Sequence, residues 1–398
     1  MKKLTLLTGA ILVACGLNAQ AQNKQTPRGY QFTDIVRLPA TSVKDQYRAG
    51  TCWTWAVTSM LESEMARMGK DTVSLSAMYF AKKAYSKKAE KYVRMHGTMS
   101  FSEGGAFTDV LHALDEHGCV PLTAFSGLNY GEPNHVMAEL AGVMSGYLNA
   151  VIQNPNKRLS TAWKRGFDKV LDAYLGEDPD TIEYKGKTYT PRTFADEVVG
   201  LNPDDYVTLT SFTHHPFYTQ FVLEMPDNTP WDPAYNLPID ELMAALDNAI
   251  ATGHTFVWGS DVSEEGFATQ VPGVAVVPTT DREEMSGAEI AKWENLSKSQ
   301  GKSAFKSGPA PEKEITQEMR QEEFDNYLTT EDHAMHVIGK AKDQNGTEYF
   351  IVKNSWNKYN KFGGYFYASK PFVKFKTIAV LLHKDAIPQD IKAKLGIL

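Results

Sequence analysis

Gln46-Tyr47-Arg48-Ala49-Gly50-Thr51-Cys52-Trp53 is the stretch on which the reading of this chain turns. Immediately after it, Trp53, Ala56, Val57, Met60, Leu61, Met65 and Met68 recur at helical spacing, and Gly69 ends the run. The pattern puts Cys52 at or just before the first turn of a helix. The partial positive charge of a helix N-terminus favours a thiolate, so the position predicts a lowered thiol pKa.

Two more groups lie far downstream. Asp332-His333-Ala334 supplies an imidazole, and Asn354-Ser355-Trp356 supplies an amide and an indole 21 positions after His333. A thiol needs a base to become a nucleophile, and His333 fits that part. The Asn354 side-chain oxygen can accept a hydrogen bond from one ring nitrogen and orient the imidazole, with Trp356 covering the contact. Gln46 can donate with the Cys52 backbone N–H to a developing oxyanion. Each residue alone has an ordinary explanation: a core cysteine, a surface glutamine, a turn asparagine, a core tryptophan. Together they point to peptide-bond hydrolysis. Gly104-Gly105 reads either as a tight turn or as a bare backbone edge for an extended peptide. His336 lies three positions beyond His333, so strand alternation points it to the other face. Asp332 is assigned no catalytic role.

The 398 residues, 42% apolar and 22% charged, describe a globular chain of one or two domains. A net charge of -7 argues against nucleic acid as a partner. Met1-Lys2-Lys3, the apolar run to Leu17 and Ala19-Gln20-Ala21 read as a signal peptide over 1–21. The remainder, 22–398, reads as one domain exported to a bacterial periplasm or cell envelope. Leu12-Val13-Ala14-Cys15 also resembles a lipobox, which would make Cys15 a lipid anchor. After the leader no run approaches the ~20 apolar residues of a membrane-spanning helix. With only three cysteines there is no disulfide framework, and Cys119 reads as a small buried hydrophobe.

Helical patterns are expected over 134–155, 159–175 and Pro238 to Ile250, with a short helix opening at Thr190-Pro191. Strands are expected at 206–212, 254–260, 335–338, 349–352, 364–368 and 377–382. The last four suggest an antiparallel sheet or barrel half. The fold class is therefore α+β, a helical front and a strand-rich back. Residues 281–325 read as a surface excursion, and Lys82, Lys83, Lys87 and Lys88 as solvated charge. His214-His215 is a loop pair with no carboxylate or thiol at ligand spacing; no metal or cofactor is expected.

Gln46…Gly50-x-Cys52-Trp53, Asp332-His333-Ala334 and Asn354-Ser355-Trp356, in this order, resemble the motifs of papain-superfamily cysteine peptidases. The 281 positions from Cys52 to His333 exceed the ~130–150 of short papain-like chains. Leu171-Asp172-Ala173-Tyr174-Leu175-Gly176, Val257-Trp258-Gly259-Ser260-Asp261-Val262 and Phe324-Asp325-Asn326-Tyr327 resemble segments of the bleomycin hydrolase and bacterial aminopeptidase C branch. That resemblance implies a papain-like core with insertions around 134–250 and 281–325. It implies Cys52, His333 and Asn354 as the catalytic trio, Gln46 at the oxyanion, and Gly104-Gly105 along the substrate cleft. It further implies removal of N-terminal residues from peptides, a homohexamer, and a chain end, here Leu398, lying in the cleft to bind the substrate amine. The tail from Lys384 does not resemble the branch's closing segment. An exported endopeptidase with an open cleft, or a silent peptide-binding protein, are the alternatives.

Overall fold

The computed structural model describes residues 29–279 and 304–397. The leader calls over 1–21, Cys15, Leu398 and the first part of the 281–325 excursion lie outside the described residues. The apolar spacing after Cys52 gives the central helix α1 (Cys52–Arg67), buried on almost every side. Ser76 caps α2 (Ala77–Arg94), its hydroxyl accepting from the Tyr79 N–H. Then come α3 (Phe107–His117), which stops at Gly118, α4 (Ala138–Ile152) and α5 (Ala162–Leu175). Leu140, Met144 and Leu148 of α4 and Phe167, Leu171 and Leu175 of α5 join the core that surrounds α1 and α2. The expected helix at Thr190-Pro191 is a single turn, α6 (Pro191–Thr193), running into a π-helical stretch, Phe194–Val199.

Apart from a small ribbon of β2 (Ile182–Tyr184) and β3 (Lys187–Tyr189), the strands form one large, mostly antiparallel sheet. Its main path involves β4 (Tyr206–Thr210), β5 (Gln220–Val222), β6 (Pro233–Asn236), β7 (Phe256–Ser260), β8 (Phe267–Ala268), β9 (Val274–Ala275), β10 (His333–Asp343), β11 (Glu348–Lys353), β12 (Tyr365–Ser369) and β13 (Thr377–His383). The order is β5-β6-β4-β13-β7-β10-β11-β12-β9-β8, and β1 (Phe32–Arg37) adds to β10. Among the described residues this path is open, so of the expected sheet or barrel half the sheet is what forms. Nor do the last four strands form a simple meander. Ser369 caps a helix missed in the sequence (Lys370–Lys376), and this carries the chain across so that β13 enters between β7 and β4.

Alternation divides the sheet into two packed faces. Val257, Ala334 and Leu381 face α1, whereas Phe256, Trp258, Met335, Val337 and Leu382 meet α7 (Ile239–Ala251). On this second side also lies the tail. Ile391 and Leu395 of its last helix (Gln389–Leu395) are buried there, and Ile397 packs against the same cluster. The excursion is less exposed than its composition suggests: α8 (Ala304–Ser307) buries Phe305, and α9 (Gln317–Asp325) buries Arg320. The helix Lys370–Lys376 is α10, and the tail helix is α11.

Candidate active site

Cys52 is the first residue of α1, and no side chain caps that end. Its sulfur stands where α1 meets the start of β10. The arm ahead of it is fixed by α1 itself, since Glu62, fully buried, takes both Lys44 Nζ and the Thr41 hydroxyl. The Gln46 N–H then donates to the Ser355 carbonyl (2.8 Å), and Asp45 bridges to Trp356. These contacts draw the Gln46, Cys52 and Trp356 segments around one cleft.

The Asn354 Oδ1 lies 2.8 Å from His333 Nε2 and also accepts from the Ser355 N–H at 2.8 Å. Its Nδ2 donates to the Tyr359 hydroxyl (3.2 Å), so three partners fix the amide. An oxygen at Nε2 makes that nitrogen the donor and leaves Nδ1 as the acceptor. The Trp356 ring stacks on the imidazole, centroids 4.6 Å apart and 22° from parallel. His333, Asn354 and Gln46 are buried, and Cys52 and Trp356 are half-buried.

Burial dominates the electrostatics. It pushes the Cys52 thiol up to about 12, although the Ala334 and Trp53 backbone N–H groups favour the anion. Likewise it brings the His333 imidazole down to about 4, against the Asn354 hydrogen bond. The lowered thiol pKa expected from the helix terminus is therefore reversed: desolvating a whole charge outweighs a half-charge of helix dipole. Neither group charges readily alone. Transfer of one proton from Cys52 to His333 makes both charges together, and their mutual attraction offsets the desolvation.

Gln46, Cys52, His333, Trp356 and Gly104-Gly105 all line one cleft of about 640 Å³. Gln46 Nε2 spends one hydrogen on the Ala49 carbonyl (2.8 Å), and its Oε1 accepts from Ser355 Oγ. One amide hydrogen remains for an oxyanion. The glycine edge is pinned from below, where Lys88 Nζ donates to the Ser102 and Gly104 carbonyls (3.1 and 2.9 Å). Lys82 is likewise buried and pairs with Asp172 and Asp178. Thus two lysines read as solvated charge are internal anchors, because backbone carbonyls and carboxylates from distant segments satisfy them. The small size of both glycines is needed for close approach. A Cβ at Gly105 would lie 2.8 Å from the Trp53 ring, and one at Gly104 would lie 1.8 Å from Asp227 Oδ2.

Asp227 and Glu331 are the cleft residues that the sequence did not reveal. Nothing in spacing links residue 227 to the Ser102 loop, and Glu331 stands in a turn where carboxylates are common. His336 turns to α1, where Ser59 Oγ lies 2.8 Å from its Nδ1, and burial holds it neutral. Cys119 is buried and free. His214 and His215 do have a carboxylate: Glu224, across the chain reversal into β5, meets both rings at 3.1 and 3.0 Å. The tail from Lys384 to Ile397 contributes nothing to the cleft lining.

The papain family cysteine protease model matches residues 303–378, the segment containing His333 and Asn354. The chain is 21% identical over 407 residues to aminopeptidase G of Lactobacillus delbrueckii subsp. lactis, covering 89% of this chain and 84% of that protein. It is 20% identical over 425 residues to aminopeptidase C of Streptococcus thermophilus, covering 94% and 87%. The solved structure of PepW from Lactobacillus rhamnosis HN001 superposes with a TM-score of 0.68 at 18% identity, covering 92% of this chain and 84% of that one. The fold resembles papain-like architecture, and the matched papain-family segment supports cysteine-peptidase activity in this chain. Within the superfamily its similarity is to bacterial aminopeptidase C and PepW homologues.

Proposed function

We propose that the chain is a cysteine aminopeptidase that acts by thiol acyl transfer. The observation carrying the proposal is the meeting of Cys52 with the His333–Asn354–Trp356 assembly in a cleft edged by Gly104-Gly105. His333 Nδ1 takes the thiol proton as sulfur attacks the peptide carbonyl, and the Cys52 N–H and Gln46 Nε2 steady the oxyanion. The imidazolium then gives its proton to the departing amine. Water, deprotonated by the same ring, releases the acyl group.

Removal of N-terminal residues, as opposed to internal cleavage, draws support from the aminopeptidase relatives and from Asp227, whose carboxylate stands against Gly104 in the cleft. The endopeptidase reading is favoured by a different observation. Tail residues from Ala386 to Ile397 pack on the sheet face away from α1, and no described tail residue lines the cleft. Export under a 1–21 leader, anchoring through Cys15 and assembly as a homohexamer remain proposals. No helix of the described residues is long and apolar enough to cross a membrane.

Matched fluorogenic peptides, one with a free amine and one acetylated, test the reading. Purified protein is expected to cleave the free form, and Cys52→Ala to cleave neither. Equal cleavage of the acetylated peptide would establish the endopeptidase instead.

A further inference from the structure

The cleft beside the glycine edge is rich in acid. Glu103, Asp227, Glu331 and Asp332 line it, with Arg48 as the only cation among its lining residues. Three of these acids have visible partners. Glu103 Oε2 accepts from the Gly50 N–H (2.6 Å). Asp332 accepts from the Val262 N–H (3.1 Å) and the Thr330 hydroxyl (2.8 Å). Asp227 Oδ1 accepts from Ser102 Oγ (2.7 Å).

Glu331 is different. Its Oε2 is shut off from solvent and has no hydrogen-bond partner among the described residues. Burial first, then Asp227 and Asp332, push its carboxyl up to about 8. The residue is partly buried in the cleft lining, and ionising a carboxyl whose inner oxygen has no donor is costly. Its neighbours are a second carboxylate and the nucleophile, whose anion both acids disfavour.

Asp227 is held in place just as firmly as Glu331 is left open. Its loop is braced internally: Asn228 is buried, and its Nδ2 donates to the Leu223 and Asp232 carbonyls (3.0 and 3.2 Å). The loop sets Asp227 Oδ2 directly over Gly104, where even a methyl group would collide. A peptide lying along Gly104-Gly105 meets this carboxylate before it can extend further.

We propose that Asp227 and Glu331 form a cation subsite at the Gly104 end of the cleft, which receives an ammonium or guanidinium group of the peptide. The inference rests on the peptidase reading and adds the substrate class: peptides with positive charge beside the scissile bond. An arriving cation pairs with Asp227 and draws the Glu331 carboxyl toward its anion, offsetting the repulsion that opposes ionisation of both acids. The cation has two sources, the free α-amine or a Lys or Arg side chain, and both offer the same charged donors.

The test separates recognition from catalysis. In a Cys52→Ala background, calorimetry at pH 7.5 compares binding of Ala-Ala-amide, acetyl-Ala-Ala-amide and acetyl-Arg-Ala-amide. Glu331→Gln and Asp227→Asn are then added; the latter retains an acceptor for Ser102 while removing the charge. A cationic peptide is expected to bind at least about tenfold more tightly than the neutral one, and each variant to remove most of that advantage. Preference for Ala-Ala-amide identifies the α-amine, and preference for acetyl-Arg-Ala-amide the side chain. Equal binding of all three peptides, or an advantage unchanged in both variants, overturns the proposal. Hydrolysis by the Cys52-containing protein is scored separately, so loss of the peptidase reading and loss of the cation subsite are distinct results.

Discussion

Glu323 and Glu331 stand at the two ends of one short segment, yet their surroundings are opposite. Glu323 pairs with Lys376, whose ammonium also meets Glu264, the Thr329 hydroxyl (2.9 Å) and the Leu328 carbonyl (3.2 Å). Lys376 is almost fully buried and fully satisfied. Glu331 is only partly buried, and its Oε2 is enclosed without a partner among the described residues. The first region is a lock that fastens the approach to His333 onto α10. The second is a cleft lining in which the fold leaves one carboxyl oxygen unpartnered. The contrast separates charge retained for stability from charge retained for a ligand: only the former is complete in the empty protein.

Breaking the lock should have the largest effect. Lys376→Ala leaves Glu323 and Glu264 facing each other without their shared cation, and should cost about 3–5 kcal/mol in chemical denaturation. A loss well below 1 kcal/mol would remove the contrast. Deleting residues 389–398 should come next, at roughly 2–4 kcal/mol, because Ile391 and Leu395 leave an apolar cluster. The preference between free-amine and acetylated peptides should survive that deletion. Loss of the preference would restore the tail to the cleft.

Glu331→Gln should move stability the other way. The Glu331 carboxyl titrates at about 8 in the fold against an ordinary 4.5. A pKa raised by folding favours the fold fully below about 4.5, and this favour is lost as pH rises through about 8. At pH 9 the native protein carries the full cost of a buried anion, which glutamine does not. The variant should be stabler by about 1–2 kcal/mol at pH 9 and unchanged at pH 5, as read by melting. The smallest effect concerns selectivity. Between pH 6 and 8, preference for an arginine-bearing peptide over its neutral analogue should rise about two- to fivefold as Glu331 ionises. Burial first, then Asp227 and Asp332, set the midpoint; Glu103 and Arg48 line the same cleft.

What could be read in advance follows from the same physics. The helix after Cys52 and a strand over 335–338 followed from local periodicity, but the strand begins at His333 and runs to Asp343, and the helix is buried on almost every side. His333, Asn354, Gln46 and Cys52 indeed come together. Asp227 could not be foreseen, since a loop 125 positions from Ser102 meets it only through tertiary packing. Lys82 and Lys88 misled for the same reason: their carbonyl and carboxylate partners are distant in sequence. β13 was legible as a strand, but its place between β7 and β4 depends on α10, whose Ser369-Lys370-Pro371 start was overlooked. The thiol pKa went wrong because helix position is visible in a sequence and depth of burial is not.

All of this bears on function only if Cys52 is the nucleophile, and Cys119 provides an internal control. Both thiols are raised by burial, but only Cys52 opens on a cleft shared with His333. The decisive measurement is mass-spectrometric mapping after treatment of the folded, reduced protein with a peptidyl epoxide, beside His333→Ala. Modification of Cys52 alone, lost in His333→Ala, is the predicted result. An unmodified Cys52, or labelling that persists undiminished without His333, would contradict the account.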